Sequence, residues 1–538
     1  MFSRFKKAVK DWFMETKANA NIGRSYKSVF ELDGVNESYN QFYNYGILIW
    51  KALYKGFYSA WHLVPAPTIQ NPKGKRHLAY LNVAKAISAE LAGNVWTDQA
   101  QVSVSSGRIS PDEVDPLNEY IHDVLRKNNF GTKMTEAIEQ ASALGGEALK
   151  VWCEFKKDEA GNLIKGSEQV KIGYSMADQF VPTAWSNSEI TEGFFISRIA
   201  KNNYYYTKIE WHRWNGDTYI IDNELYRAEI NNGGKESQDI LGYRYPLALI
   251  YPNIEEHVEL TGFNKSLFSY FKPPMANNLD DNSPLGISIY ANAMETLHAL
   301  DICFDSFCRE FVLGRKRIIV PASAIRTVAD PATGEMIRYF DATDEVYEAL
   351  SVNSPEDFKI QDNSVSLRVD EHVKAMNAFL NTLCLQTGLS FGTFSFDAGG
   401  GIKTATEVVS ENSKTYKTIK TFQNNIKPAV ERLVDNIVNI AVLYDIEWNG
   451  MRIADLVKNG YEVSISMDDG ITQDRQTNIN EGMTLVGAKL MSKYKFLTDS
   501  KYGQGLTPEE AQQELERIAN EGKVNIDVFD ASEAFNAE

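Results

Sequence analysis

The residues best placed to do chemistry in this sequence are four lysines in its last third. Lys414, Lys417 and Lys420 recur at intervals of three, which places their side chains on one side of a helix. Lys403 precedes them, directly after a glycine-rich run. Lysines arranged in this way can contact the phosphates of nucleic acid. A solvated charged face or pairing between subunits explains any single lysine equally well, so both hypotheses stay open.

A second basic cluster consists of Arg315, Lys316 and Arg317. It follows a helical pattern that Gly314 is expected to end. Cations at the C-terminal end of a helix stabilise the helix dipole. This structural role is at least as well supported by the sequence as a contact with DNA.

Chemistry that needs a catalytic or cofactor site has no support in the sequence. There is no GxxxxGK[ST] phosphate-binding loop, no HExxH and no cysteine–histidine cluster with the spacing of a zinc site. Asp280-Asp281 and Asp468-Asp469-Gly470 could bind a cation, but their neighbours favour turns or helix caps. We therefore expect no enzymatic activity, no cofactor and no metal.

The segment Ser390–Gly401 is rich in glycine and phenylalanine, and its distinctive residues are Phe391, Phe394, Phe396, Gly399, Gly400 and Gly401. Glycines permit many backbone conformations, and the phenylalanines can pack in each of them. We interpret the segment as a loop that shifts its position. An ordered connector buried between subunits would also explain the phenylalanines.

The helical pattern after this loop runs from Thr404 to Tyr444 and contains Pro428. Proline lacks a backbone N–H and clashes with the preceding turn, so a kink is expected there.

Two amphipathic segments come before the loop. Ser283-Pro284 is a favourable helix start and predicts a helix from Pro284 to Leu313, about 45 Å long. A second helix is predicted from Val369 to a stop at Gly388. Aromatic residues line the whole first helix, and the shorter second one can cover only part of it. We expect neighbouring copies of the chain to bury the rest.

The remaining patterns indicate an α+β protein. Helices are predicted at Tyr45–Trp61, His77–Val95, Ser110–Asn128 and Thr132–Ala143. Antiparallel strands are predicted at Ala148–Phe155, Gln169–Tyr174, Phe194–Ile199, Tyr204–Trp214 and Thr218–Leu225, with a hairpin at Asn215-Gly216. A small α/β module is expected at Arg315–Arg368, a strand at Val463–Met467, and polar helices at Thr472–Glu521.

The net charge of the chain limits how tightly it can bind nucleic acid. Its 72 acidic and 55 basic residues give a formal net charge of −17. Such a protein does not hold a polyanion tightly, but it can surround one without trapping it. Its apolar runs are too short for a membrane span. Met1–Lys17 could form a basic amphipathic helix, for which docking on a neighbour is favoured over membrane binding.

The order of these elements resembles that of tailed-bacteriophage portal proteins of the siphophage type, also called minor capsid portal proteins. The stretches that carry the resemblance are Tyr270–Pro274 with Asn277-Asn278, Ser283–Ser288, Arg317–Pro321, Gly401–Val408, Ile471–Arg475 and Leu506–Glu510. It extends over roughly Tyr45 to Asn520. No single stretch is diagnostic of a mechanism, but the set in this order is fairly specific.

The resemblance implies a division of the chain into an N-terminal arm and wing (1–282), first stem helix (283–314), clip (315–368), second stem helix (369–389), tunnel loop (390–403), long kinked helix and wing return (404–471), crown (472–525) and tail (526–538). It implies a ring, usually of twelve subunits, at one vertex of the capsid. Double-stranded DNA would pass through the ring without sequence-specific binding during packaging and ejection.

The implied partners are the major capsid and scaffolding proteins, the terminase, and later the neck and tail adaptor proteins. The implied location is the portal vertex of the virion, after assembly in the host cytoplasm. A DNA-processing nuclease or a membrane-surface scaffold remains an alternative. The first would require a cluster of carboxylates that binds Mg²⁺, and the second rests on Met1–Lys17 alone.

Overall fold

The fold is known from a computed structural model. The residues it describes are 25–67, 71–106, 115–156, 164, 166–187, 189–230, 240–314, 318–319, 326–329, 334, 336–339, 361–362, 366–396, 411–467, 475–499, 502–503, 506 and 510–518. Several predictions fall outside these residues: those for Met1–Lys17, Arg315, Lys316, Arg317, Gly399, Gly400, Gly401 and Lys403.

The described chain begins with a short strand and three short helices. They are β1 (Ser25–Tyr26), α1 (Glu37–Phe42), α2 (Leu48–Tyr54) and α3 (Ser59–His62), with a π-helical turn at Tyr43–Ile47. The single helix predicted for Tyr45–Trp61 is therefore wrong. Gly56 adopts a left-handed conformation with φ of 92°, which ends the helical path between α2 and α3.

Two further predicted helices begin later than expected. Lys75–His77 is a strand, β3, which pairs with β2 (Leu63–Pro65), so α4 starts only at Val83 and runs to Val95. Helix α5 (Pro116–Lys127) begins with Asp115 as its N-cap, since this carboxylate accepts a hydrogen bond from the Leu117 N–H at 2.9 Å. Asp115-Pro116 therefore provides the N-cap and first residue of this helix, and the predicted start at Ser110 lies outside the described residues.

The predicted β region is confirmed and is larger than expected. Helix α6 (Phe130–Leu144) ends at Gly145, and the strands that follow are β5 (Glu147–Glu154), β6 (Gln169–Met176), β7 (Phe180–Ser186), β8 (Glu189–Lys201), β9 (Tyr204–Asn215), β10 (Thr218–Glu229), β11 (Gly242–Tyr245), β12 (His257–Leu260) and β13 (Phe268–Phe271). The hairpin at Asn215-Gly216 is confirmed, because Asn215 pairs with Thr218.

These strands form two antiparallel sheets. The seven-stranded sheet has the order β1-β11-β10-β9-β8-β7, and β12 pairs with β10 as well. The three-stranded sheet has the order β13-β5-β6. A separate pair joins β4 (Gln101–Ser105) to β20 (Glu462–Ser466), which confirms the late strand predicted at Val463–Met467.

The predicted helix at Pro284–Leu313 is only partly confirmed. Helix α7 runs from Met294 to Leu313, a length of about 30 Å at 1.5 Å per residue. The preceding residues 284–290 are buried and not helical, and their backbone bonds to α6: the Ile289 N–H donates to the Ser142 carbonyl at 2.9 Å. The Ser283 hydroxyl accepts the Leu285 N–H within a local turn and does not cap the helix.

The second stem helix, α8 (Val369–Thr387), packs against α7 and ends at Gly388 with φ of 82°, as predicted. Between the two helices the described clip residues form two antiparallel pairs: β14 (Ile318–Ile319) with β17 (Gln361–Asp362), and β15 (Arg326–Ala329) with β16 (Met336–Tyr339). Residues 366–368, which lead into α8, are irregular.

Helix α9 (Ser413–Leu443) is the longest described helix and contacts β5 and β13. Its apolar stripe is buried in the main core and includes Ile419, Phe422, Ile426, Val430, Leu433 and Ile437. It is followed by β18 (Glu447–Trp448), β19 (Met451–Arg452), α10 (Ile453–Leu456), α11 (Arg475–Gly487) and α12 (Lys493–Thr498). The C-terminal helical region is thus interrupted, with residues 510–518 helical again.

Helices and antiparallel sheets together confirm the α+β class. None of the helices within the described ranges is long and apolar enough to cross a membrane.

Candidate nucleic-acid interface

The end of α8 and the start of α9 are joined by side-chain hydrogen bonds. Lys414 Nζ donates to the Leu385 carbonyl at 2.8 Å, and Thr418 Oγ1 donates to the Gly388 carbonyl at 2.7 Å. The Leu385 carbonyl lies in the last turn of α8 and the Gly388 carbonyl directly after it, where no backbone N–H of the helix can reach them. The N-terminal part of α9 therefore caps the C-terminal end of α8 and fixes the angle between the two helices.

A reciprocal pair of hydrogen bonds strengthens this junction. The Ser390 N–H donates to Thr415 Oγ1 at 2.8 Å, and the Thr415 N–H donates to Ser390 Oγ at 3.2 Å. Ser390 is 2% exposed and Thr415 is 9% exposed. Thr415 lies in the first turn of α9, where backbone N–H groups have no acceptor within the helix. Ser390, 25 residues earlier in the chain, supplies an acceptor for the Thr415 N–H.

The described part of the predicted tunnel loop is attached to the side of α8. Two asparagines one turn apart accept its backbone N–H groups: Asn381 Oδ1 accepts from Gly392 at 3.1 Å, and Asn377 Oδ1 accepts from Phe396 at 2.9 Å. Phe394 packs against the core, whereas Phe391 and Phe396 are exposed. Up to residue 396 the segment is therefore an anchored connector, and the prediction of a mobile loop rests on the glycines beyond it.

The three lysines of α9 that the sequence singled out differ in what they contact. Lys414 is half-buried and engaged at the α8 terminus, whereas Lys417 and Lys420 are exposed and form no salt bridge within the part of the chain that the structure describes. Sequence reasoning left out Lys427, which lies two turns further along and is half-buried. From residue 412 to residue 430 the chain carries these four lysines and no carboxylate. This half of α9 presents uncompensated positive charge in an acidic protein.

Pro428 lies inside α9, and the helix continues through it to Leu443. The Pro428 ring and the Asn424 side chain both lie on the exposed face of α9. Pro428 has no N–H to donate to the Asn424 carbonyl, but water can reach this carbonyl instead. The kink itself stays a prediction.

At the other end of α8, the two stem helices are joined by an ion pair next to the clip. Glu310 on α7 accepts two hydrogen bonds from the guanidinium of Arg368, at 3.0 and 2.8 Å. These hydrogen bonds lower the pKa of Glu310 from 4.5 to about 2. Beside this pair the apolar side chains of Phe311, Val312 and Leu313 are exposed to 45, 57 and 54%.

The Glu310 ion pair predicts a specific pH dependence of stability. Because the pKa of Glu310 is lower in the folded protein, the pair stabilises the fold above pH 4.5, and this contribution is lost as the pH falls from 4.5 towards 2. Thermal unfolding of Glu310→Gln should therefore show a lower Tm than the parent at pH 7 and a smaller difference at pH 3. The control is Glu371→Gln, an exposed residue of α8. Parallel Tm curves for parent and Glu310→Gln across this range would contradict the assignment.

The base of α7 is held in the wing by two buried carboxylates one turn apart. Asp301 accepts a hydrogen bond from the Leu81 N–H at 3.0 Å and lies 3.1 Å from His62 Nε2. Asp305 binds both terminal nitrogens of Arg76, at 2.8 and 2.7 Å. We call Asp301, Asp305, His62 and Arg76 the wing clasp.

The electrostatics of the two carboxyls of the wing clasp differ. Burial raises the pKa of Asp301. Burial acts in the same direction on Asp305, but hydrogen bonds from Arg76 and the Ala79 N–H outweigh it and lower the pKa of Asp305. The wing clasp was not predicted from sequence. The nearest signal was the spacing of two aspartates by four residues in a helix otherwise lined by apolar side chains.

Within the described ranges, no group of three or more histidine, cysteine, aspartate or glutamate side chains is placed to hold a metal ion. The arrangement at the α8–α9 junction is one that can present positive charge on a rigid support.

One protein family matches most of this chain. The family described as "Phage portal protein, SPP1 Gp6-like" matches residues 37–527. No curated protein matches the chain. Among solved structures, "Neck of empty GTA particle computed with C6 symmetry" contains a chain with 12% identity and a TM-score of 0.35, covering 77% of this chain and 87% of that one.

A second similar structure is "Virion of native gene transfer agent (GTA) particle", with 10% identity and a TM-score of 0.35, covering 89% of this chain and 96% of the other. The family match includes both large sheets except β1, as well as α7, α8, the α8–α9 junction and most of the C-terminal region. It confirms the resemblance to phage portal proteins that the sequence suggested. This chain belongs to the phage portal protein family of the SPP1 Gp6-like type.

Proposed function

We propose that copies of this chain, in the number of twelve that the family resemblance implies, form a closed ring at one vertex of a phage capsid. The ring serves as the channel for double-stranded DNA during packaging and ejection. The observation that carries the proposal is the family match over residues 37–527. The role is structural, without catalysis and without a cofactor.

The exposed end of the stem supports assembly into a ring. Phe311, Val312 and Leu313 form a run of three exposed apolar side chains, and Leu367 beside them is also exposed. In a monomer this surface would remain in water at a free-energy cost of about 25 cal/mol per Å². A neighbouring copy that packs against the stem would remove it from water.

The lysine-rich half of α9 supports a channel that does not hold DNA tightly. Lys417 and Lys420 repeat once per subunit, so a ring would present a circle of weak phosphate contacts on an otherwise acidic wall. Lys403 and the tunnel-loop residues Phe394, Phe396 and Gly399–Gly401 belong to the same proposed lining. Contacts that are few and equivalent in every subunit allow the duplex to slide.

The remaining partners follow the division of the chain. In this proposal the wing contacts capsid and scaffolding proteins. The clip, with Arg315, Lys316 and Arg317 at its start, docks the terminase during packaging and then the neck and tail adaptor proteins.

The stem surface provides the test of ring formation. Negative-stain images and native mass spectrometry of the purified chain should show closed rings with a central opening. Phe311→Asp combined with Leu313→Asp should raise the concentration needed for assembly by a factor of about 100 or more, since each buried apolar side chain contributes about 1.5–3 kcal/mol. The matched control is Leu249→Asp with Leu279→Asp, two exposed leucines of the wing. A purified chain that stays monomeric at every concentration, and in capsids, would overturn the proposal.

A further inference from the structure

A wide groove crosses the wing between α5, α6 and the β18–β19 hairpin. It consists of two cavities of about 1220 and 660 Å³ that share Asp123 and Trp448 as walls. The aromatic side chains of Trp96, Phe130 and Trp448 line it. A groove of this size can take a segment of polypeptide with several large side chains.

The lining of this wing groove contains more acidic than basic side chains. Eight carboxylates and three cationic side chains line the two cavities. Four of these carboxylates form no salt bridge among the described residues, and they are those of Asp98, Glu119, Glu168 and Glu447. Arg126 and Lys127 are both paired with Asp123 and leave one positive charge there, and Lys171 adds another, so these cations offset only part of the four unpaired carboxylates. The groove therefore carries an excess of negative charge that suits a basic ligand.

Two buried polar groups in the groove wall also lack a partner. Tyr120 is 4% exposed, and its hydroxyl has no hydrogen-bond partner among the described residues. The same holds for the indole Nε1 of Trp448, whose ring lies edge to face with Tyr120 at 5.8 Å. Buried donors are normally satisfied, and an indole N–H can only donate. Both residues line the smaller cavity.

One segment of this chain has the matching chemistry. Residues 1–17 contain five lysines or arginines and two carboxylates, a net charge of +3. Their apolar residues are mainly aromatic and recur at helical spacing: Phe2, Phe5, Val9, Trp12 and Phe13. Such a segment combines cations for an acidic groove with aromatic side chains for its apolar walls. The seven residues 18–24, which join it to β1, can span about 25 Å when extended.

We propose that residues 1–17 of this chain dock in the wing groove, with their lysines and arginines facing its carboxylates. The proposed portal function assigns no role to this basic segment. Docking of the segment in the groove does not depend on DNA passage through the ring. The N-terminal segment then ties the start of the chain to the α5–α6 face of the wing.

Hydrogen–deuterium exchange on the full-length protein tests the proposal. In the parent, the amides of residues 1–17 should exchange more slowly than those of an unstructured peptide. In Glu119→Lys with Glu447→Lys they should exchange about tenfold faster, because two attractive contacts become repulsive and each is worth up to about 1 kcal/mol. The matched control is Asp217→Lys with Glu229→Lys, two exposed acids of the seven-stranded sheet. Exchange in β7 and β8 should be unchanged in every variant, which reports an intact wing.

A reciprocal variant sharpens the test. Lys6→Glu with Lys7→Glu should release the segment in the parent background and restore protection when combined with the groove reversal. Unprotected amides in the parent, or equal protection in the groove variant, would overturn the proposal. Protection that appears only after addition of anionic lipid vesicles or duplex DNA would assign the segment to those ligands and also overturn it.

Discussion

Replacing Asp305 with alanine should lower the free energy of unfolding by about 3 kcal/mol. The carboxylate is 8% exposed and accepts three hydrogen bonds: two from Arg76 and one from the Ala79 N–H at 3.0 Å. Its removal leaves a guanidinium and a backbone N–H without their acceptor in a partly buried site. In a chain of 538 residues this loss corresponds to a decrease in Tm of about 3 °C.

The control for this experiment lies on the same helix. Ser306 is exposed and its hydroxyl bonds only to the Ile302 carbonyl, so Ser306→Ala should change stability by less than about 0.5 kcal/mol. Arg76→Ala removes the ion pair but leaves the Ala79 N–H bonded to Asp305. The double variant should cost little more than Asp305→Ala alone, because both single changes remove the same Arg76–Asp305 interaction. Additive losses would show that Asp305 and Arg76 act independently, contrary to the wing clasp.

The sequence predicts elements well where local rules decide the structure. Gly145 and Gly388 end helices in the left-handed conformation, and Asn215-Gly216 forms a hairpin, because these positions depend on the backbone preferences of single residues. The predicted start of α7 is wrong because contacts with distant parts of the chain, and not local rules, decide the structure there. Ser283-Pro284 has a good local helix signal, but the next residues make buried contacts and are not helical. A Cβ added to Gly286 would lie 2.4 Å from the Gly145 carbonyl oxygen, so the two chain segments meet there at a distance that only glycine allows.

The candidate site is predictable in part for a related reason. The spacing of Lys414, Lys417 and Lys420 shows a shared helix side. It does not show that Lys414 donates a hydrogen bond to the Leu385 carbonyl. The two residues are 29 positions apart, and their contact depends on the angle between α8 and α9. Buried polar groups are harder still to predict. Glu147 is fully buried, and burial raises its pKa well above the usual range. The sequence does not distinguish it from an exposed acid beside a predicted strand.

The exposed lysines of α9 give the prediction closest to function. Lys417→Gln combined with Lys420→Gln should weaken binding of short duplex DNA to the assembled ring. The slope of log K against log salt should fall by about 0.9 for each lysine that contacts a phosphate. The measurement is a salt titration of DNA binding to purified rings. Lys414 is left unchanged, because its replacement would also disturb the cap on α8.

The matched control removes the same charge elsewhere. Lys201→Gln with Lys458→Gln also changes the net charge from −17 to −19, and both residues are exposed. If DNA responds only to the overall charge of the ring, the two double variants will bind equally. If Lys417 and Lys420 line the channel, only their replacement will lower the salt slope, because counterions are released only where a lysine contacts the duplex. An unchanged slope in rings that assemble normally would remove these lysines from the channel wall and leave them as a solvated face of α9.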